Sequence, residues 1–277
     1  MGSEQEREGE LIFGKNAVLA FLEETMRSQS EDDGRARNPE ISKIFLVPGD
    51  RPDRRVDRLK QLAKALRIPV VVCERRKLDF MLPGDQVHQG VAAQIAAAAF
   101  WDLPEFIDDL LQRRQNDLNG CVLAVVDGIE DPHNLGAIIR TAEAAGLAGL
   151  LLPIRRAAGL TGVVAKTSAG ALATLPVVRI HNLVRALEDL KTAGFWVAGL
   201  DSEDGQIYTK ADLVRPLALV IGSEGKGMSR LVKENCDMLL KIPMLGKTES
   251  LNASVAAGVV FYEVVRQLQL AKVLPLP

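Results

Sequence analysis

CVLAVVDGIEDPHNLGAIIRTAEAAGLAGLLL, residues 121–152, sets two apolar runs on either side of a helical pattern. The first run, Cys121–Asp127, stays apolar until its last residue, and Gly149–Leu152 repeats the theme. Runs this short and continuous read as strands buried on both faces. Between them a polar turn with Pro132 leads to Asn134, read here as the cap that opens a helix of small and apolar residues. Strand, helix, strand makes two parallel neighbours with a crossover helix.

The pattern continues toward the C-terminus. LPVVRI (Leu175–Ile180), FWVAGL (Phe195–Leu200), LALVIG (Leu217–Gly222) and MLLKIP (Met238–Pro243) read as further strands. TGVVAKTSAGA, NLVRALEDLKTAG and MSRLVKENC read as helices between them, and a last helix spans roughly Ser250–Leu270. The expectation is an α/β domain over residues 120–277, with a parallel sheet covered on both faces.

Toward the N-terminus the units are smaller. Residues 1–10 form a polar tail without an apolar core, expected to be disordered and unlike a secretory signal. Residues 11–100 read as a small α/β domain. Ile12–Glu24 has helical spacing, Ile41–Val47 and Pro69–Cys73 read as strands, and Asp53–Ile68 as an amphipathic helix. His88–Ala97 is a third apolar segment. Residues 101–119, with Pro104, a short acidic helix and a polar end, read as a linker.

Composition narrows the function classes. The chain has 277 residues, 47% hydrophobic, with 34 basic and 36 acidic residues and a net charge of −2. A near-neutral chain is not driven onto nucleic acid by bulk charge, and 4% aromatics disfavours stacking of several bases. No apolar run reaches the roughly 18 residues of a transmembrane helix. Three isolated cysteines fit a reduced, cytoplasmic protein, and with three scattered histidines they leave zinc almost no ligands. The average hides an asymmetry. Lys43–Lys77 holds eleven basic and four acidic residues, a charge of +7, whereas residues 116–277 hold sixteen of each. That run is either a solvated helix face or a surface that tracks phosphates.

Neither the P-loop nor the dinucleotide glycine fingerprint is present. Three other loops follow strands at their carboxyl ends, where α/β folds bind ligands. The first, Asp127–Gly146, places Arg140 in an otherwise apolar helix, either paired on the exterior or facing an anion. The second, Ile221–Cys236, holds Gly222, Gly225 and Gly227 around Glu224. The third, Ile242–Gln267, gathers Ser250, Asn252 and Ser254 at a helix N-terminus. Each alone is also what an ordinary turn or cap contains.

Taken in order, DPHNLGAIIRTAEAAG, LALVIGSEGKGMSRLVKENCD and IPMLGKTESLNASVAAGVVFYEVVRQ resemble the three motifs of the SPOUT superfamily, specifically the SpoU or TrmH-like RNA ribose 2′-O-methyltransferases. IFGKNAVLAFLEE and VHQGVAA resemble, more weakly, that family's small RNA substrate-binding domain. The resemblance implies a C-terminal trefoil knot, S-adenosylmethionine as cofactor, a homodimer, and RNA as substrate, with DNA excluded by the need for a 2′-hydroxyl.

The resemblance assigns Arg140, Asn134, Glu224, Ser250 and Asn252 to catalysis. It assigns Gly222, Ile242, Leu251, Leu200 and Gly246 to the cofactor. In the expected mechanism, Asn134 and Glu224 hold Arg140, which clamps a phosphate and stabilises charge on the 2′-oxygen. Lys15, Arg54, Arg55 and Arg58 are the expected RNA contacts. Two positions depart from the family pattern: Ala173, where a polar or acidic residue is usual, and Asn16, where histidine is usual. The extra N-terminal domain favours a guanosine of large-subunit (23S) rRNA as target. A tRNA ribose methyltransferase, an idle RNA-binding assembly protein on the same fold, and a small-molecule α/β enzyme are the alternatives.

Overall fold

The computed structural model describes residues 11–28, 41–49, 52–82, 87–95, 100–115, 117–202 and 204–273. The expected N-terminal tail, residues 1–10, lies outside them. In chain order the first elements are β1 (Leu11–Phe13), α1 (Lys15–Ser28), β2 (Ile41–Leu46), α2 (Arg54–Ala65), β3 (Val70–Val72), α3 (Arg75–Met81) and β4 (Val91–Ile95). Next come α4 (Leu103–Arg113), β5 (Val122–Asp127), α5 (Pro132–Ala144), β6 (Gly149–Pro153), α6 (Gly162–Thr167), β7 (Val177–Ile180) and α7 (Leu183–Thr192). The chain ends with β8 (Trp196–Leu200), β9 (Gln206–Ile207), β10 (Leu217–Gly222), α8 (Arg230–Glu234), β11 (Met238–Lys241) and α9 (Ala253–Leu270).

Two units are present. The first is built on a four-stranded sheet in the order β1-β4-β2-β3. β4 runs antiparallel to β1 and β2, and β3 runs parallel to β2. Ile12 and Phe13 belong to β1 rather than to a helix starting at Ile12, because Gly14, at φ +95°, turns the chain before α1 begins. Phe13, Phe45, Leu78, Leu82 and Ala92 pack together, with Val163 of α6 against them. Residues Gly159–Pro176, expected within the C-terminal domain, therefore group with this unit. A Cβ on Gly162 would stand 2.6 Å from the backbone nitrogen of Phe13, so α6 starts directly against β1. α3 escapes periodicity analysis: it has seven residues and only Leu78 is buried.

The second unit is a seven-stranded sheet, β7-β6-β5-β10-β8-β11-β9, in which every pairing is parallel. β5 and β10 are central and buried up to their last residues, as expected for strands covered on both faces. One face packs against α4 and α7. The expected linker, residues 101–119, is thus part of the core. Leu103, Phe106, Ile107 and Leu110 of α4 are buried, and Trp101 bridges to Val178 at the sheet edge. α5 lies along α9. Asp131, not Asn134, caps α5 by accepting from the His133 N–H at 2.9 Å. Pro132, with a fixed φ and no N–H to satisfy, takes the first helical position and moves the start forward.

Candidate active site

The carboxyl ends of β5, β10, β8 and β11 lie side by side, and β10 separates the β5–β6–β7 run from β8 and β11. A parallel sheet opens a crevice where its strand order reverses in this way. Gly222 ends β10 in register with Asp127 at the end of β5. A Cβ on Gly222 would sit 2.3 Å from the carbonyl carbon of Gly227, so only glycine lets the loop fold back onto its strand. Ser223 and Gly227 close that loop with a reciprocal pair of backbone hydrogen bonds, 3.0 and 2.8 Å. The Asp127 carboxylate accepts from the Ser229 N–H at 2.7 Å and ties the loop's far end to β5.

A cleft of about 580 Å³ opens beside this loop. Its volume falls within the roughly 300–1,000 Å³ of small-molecule sites. Of the residues expected at the cofactor, Leu200, Gly222, Ile242 and Leu251 line it, while Gly246 does not. Glu224 and Ser250, expected in catalysis, line it as well. Leu240, Met244, Ser202, Asp201 and Glu249 complete much of the wall. The motifs do not single these five out, although for Asp201, Ser202 and Met244 a position just past the ends of β8 and β11 is the signal that finds them. Asp201 is engaged by Lys233 at 3.0 Å, and the paired Asp201 and Asp204 carboxylates hold that ammonium above the usual lysine range.

Asn252 joins the three loops. Its side-chain amide donates to Asn134 Oδ1 at 2.9 Å and to Glu224 Oε2 at 3.1 Å. Its Oδ1 accepts from the backbone N–H of Ser254 at 2.9 Å and caps α9. One side chain therefore satisfies a helix end and ties α5 and the β10 loop to α9. Arg140 is exposed on α5. Among the described residues no carboxylate or carbonyl accepts from its guanidinium. This corrects the expectation that Asn134 and Glu224 hold Arg140: both are joined through Asn252.

In the first unit the expected RNA contacts divide. Lys15 pairs with Asp53 at 2.9 Å, Arg55 with Asp53 at 3.4 Å, and Arg58 with Glu23 at 3.6 Å. Arg54 is exposed and has no ion pair among the described residues. Lys15 and the Arg55 N–H hold the Asp53 carboxyl well below the usual carboxylate range. Asn16 is exposed and accepts from Arg55 at 3.5 Å, whereas Ala173 is buried. Burial pushes the Cys121 thiol up to about 11 and the Cys236 thiol up to about 12, so neither offers a thiolate nucleophile near neutral pH.

Comparison with known proteins identifies the family. A 23S rRNA (guanosine-2′-O-)-methyltransferase, RlmB, of Pseudomonas putida is 40% identical over 95% of this chain and 98% of its own length. A Bacillus subtilis protein named for the TrmH family of tRNA/rRNA methyltransferases is 44% identical over 92% of this chain and 95% of its own. In fold, the SpoU methyltransferase AviRb of Streptomyces viridochromogenes, solved in complex with AdoMet, superposes with a TM-score of 0.65. That match is 24% identical in sequence and covers 94% of this chain and 90% of AviRb. Residues 11–101 match the RNA 2′-O ribose methyltransferase substrate-binding domain. With residues 122–262, which carry the cleft and the Asn252 junction, matching the SpoU rRNA methylase family, the chain belongs to that family of methyltransferases.

Proposed function

We propose that this chain methylates a ribose 2′-oxygen of RNA with S-adenosylmethionine as donor, and that its target is a guanosine of large-subunit rRNA. The observation that carries the reading is the Asn252 junction: it holds Asn134 and Glu224 together beside a cleft at the sheet's carboxyl edge. The residues present fit the donor. Leu200, Ile242 and Leu251 offer an apolar wall to an adenine ring, Gly222 and Gly225 expose backbone, and the carboxylates of Glu224 and Glu249 on the same wall would suit a cationic donor. When bound, S-adenosylmethionine supplies a methyl group that its sulfonium already makes electrophilic.

The remaining work falls to the chain. The guanidinium of Arg140 does not lose a proton at working pH, so it is no general base. Its fork of donors suits a phosphate next to the reacting ribose, and its charge favours the 2′-oxygen as negative charge develops there. Asn134, Glu224 and Asn252 set the spacing of α5, the β10 loop and α9 around the nucleophile, and Ser250 lines its approach. A 2′-hydroxyl is required, so DNA is not a substrate. The chain works in the cytoplasm as a homodimer with a knotted C-terminal domain. Val255, Tyr262 and Leu270, exposed along α9, supply apolar surface for a second copy.

The test is to map ribose methylation in total RNA from a strain lacking the gene and from its complemented counterpart. Loss and recovery of methylation at one guanosine of 23S rRNA is the expected result. Loss confined to tRNA supports the second reading, a tRNA ribose methyltransferase, since the name of the Bacillus relative covers both RNAs. No change in any RNA sinks both.

A further inference from the structure

The basic segment of the first unit carries two kinds of cation. On and around α2, Lys15, Arg55 and Arg58 are occupied by Asp53 and Glu23. On α3, Arg75, Arg76 and Lys77 are consecutive and exposed, and none has an ion pair among the described residues. Asp79, the acid within α3, is drawn to His88 at 2.8 Å. Lys77 and Lys43 stand over the same ring, Phe45, at 5.6 and 5.9 Å from its centroid. That shared ring brings a cation from β2 beside those of α3.

At the C-terminal end of this helix Phe80 is 92% exposed. Burying a phenylalanine is worth roughly 1.5–3 kcal/mol, and here the ring is left in water. Helical spacing puts it on the same side as Arg76 (i,i+4) and Lys77 (i,i+3). A bare aromatic face beside cations that have no ion pair among the described residues matches a nucleotide: phosphate for the cations, base for the ring. A duplex keeps its bases stacked on one another and gives the ring nothing to cover, so the matching partner is a single strand.

We propose that Phe80 stacks an unpaired base of the RNA substrate while Lys43, Arg76 and Lys77 hold its flanking phosphates. This rests on RNA being the substrate and adds where, and in what form, the first unit grips it. It also accommodates the low aromatic content of the chain, since one ring suffices.

The test uses the full-length protein and two probes, a fluorescein-labelled oligouridylate and a labelled blunt RNA duplex. Phe80→Ala is expected to weaken oligouridylate binding about 5- to 150-fold, the range for loss of one stacked base. Duplex binding stays as in the parent. Phe80→Trp is expected to bind oligouridylate at least as well as the parent. In Arg76→Gln/Lys77→Gln the dependence of log affinity on log salt should flatten by about 1.4, roughly 0.7 for each lost phosphate contact. Equal binding of both probes by Phe80→Ala and the parent overturns the proposal, and that is the outcome if the ring instead docks a protein. Equal loss on both probes overturns it too, as does a parent that fails to bind oligouridylate. Methyl transfer by the parent is scored separately. Its absence, with stacking intact, sinks the enzymatic reading and leaves the α3 platform standing. Normal transfer with no effect of Phe80→Ala does the reverse.

Discussion

The loops at the sheet's carboxyl edge and the basic face of the first unit handle polar groups in opposite ways. At the sheet edge, residues from distant parts of the chain are tied to one another: Asn252 to Asn134 and Glu224, Asp127 to Ser229. On the basic face, Lys15, Arg55 and Arg58 have found a carboxylate, whereas Arg75, Arg76 and Lys77 have no ion pair among the described residues. A site that positions a reacting group requires its members to be coupled. A surface that grips a polyanion requires them to be left free, because an ion-paired cation must first give up its partner.

The largest effect tests the coupled region. Arg140→Ala should lower methyl transfer by roughly 10²- to 10³-fold or more, the scale for removing a donor aimed at developing charge. Calorimetric binding of S-adenosylmethionine should stay close to that of the parent. Near-normal methylation by this variant would end the catalytic assignment.

Next comes Gly222→Ala. The added methyl meets backbone at 2.3 Å, so the loop must shift, with a loss of about 1–3 kcal/mol in denaturant unfolding and weaker donor binding. A parent-like titration would mean the loop folds back by some other geometry. Asn252→Ala is a milder probe. Loss of the α9 cap costs about 1 kcal/mol, and transfer should fall by more than that stability change explains. Asn252→Asp keeps the capping oxygen but replaces the amide donor with a carboxylate facing Glu224 and Asn134 Oδ1, so like-charge repulsion should offset the kept cap and transfer should not recover.

On the basic face, charge reversal at Arg55 and Arg58 should change the salt dependence of RNA binding less than reversal at Arg75 and Arg76. Equal slopes would erase the distinction between paired and free cations. The smallest effect concerns Asp53. Its carboxyl lies below the ordinary value of 3.8 in the folded chain because Lys15 and the Arg55 N–H favour the ionised form. Its stabilising contribution is therefore fully present above that ordinary value and is lost as pH falls through the folded one. Asp53→Asn keeps a good cap, so its stability deficit should be visible at neutral pH and fade on acidification.

Much of this was legible without coordinates. The apolar runs at Cys121–Asp127 and Leu217–Gly222 marked central strands, since nothing polar interrupts a strand covered on both faces. The loop motifs held Gly222, Glu224, Ile242, Ser250 and Leu251, which line the cleft, but not Asp201 or Ser202 after β8. Less was legible wherever burial is shared between distant segments. Residues 101–119 looked like a linker, yet Phe106 and Leu110 fill the space beneath the sheet. Gly159–Pro176 looked like part of the α/β repeat, yet Gly162 sits against Phe13. α3 was hidden by its length, and with it the exposed Phe80.

The order of polar and apolar residues along the chain thus determined which segments are strands and which loops follow them. Those are local properties of backbone propensity and periodicity. Only the tertiary structure decided that β10 lies between β5 and β8, that Asn252 rather than Arg140 is the partner of Asn134 and Glu224, and which cations of α2 and α3 have an ion pair among the described residues. Each of these depends on side chains many residues apart competing for the same space or the same acceptor, and no one-dimensional pattern records that competition.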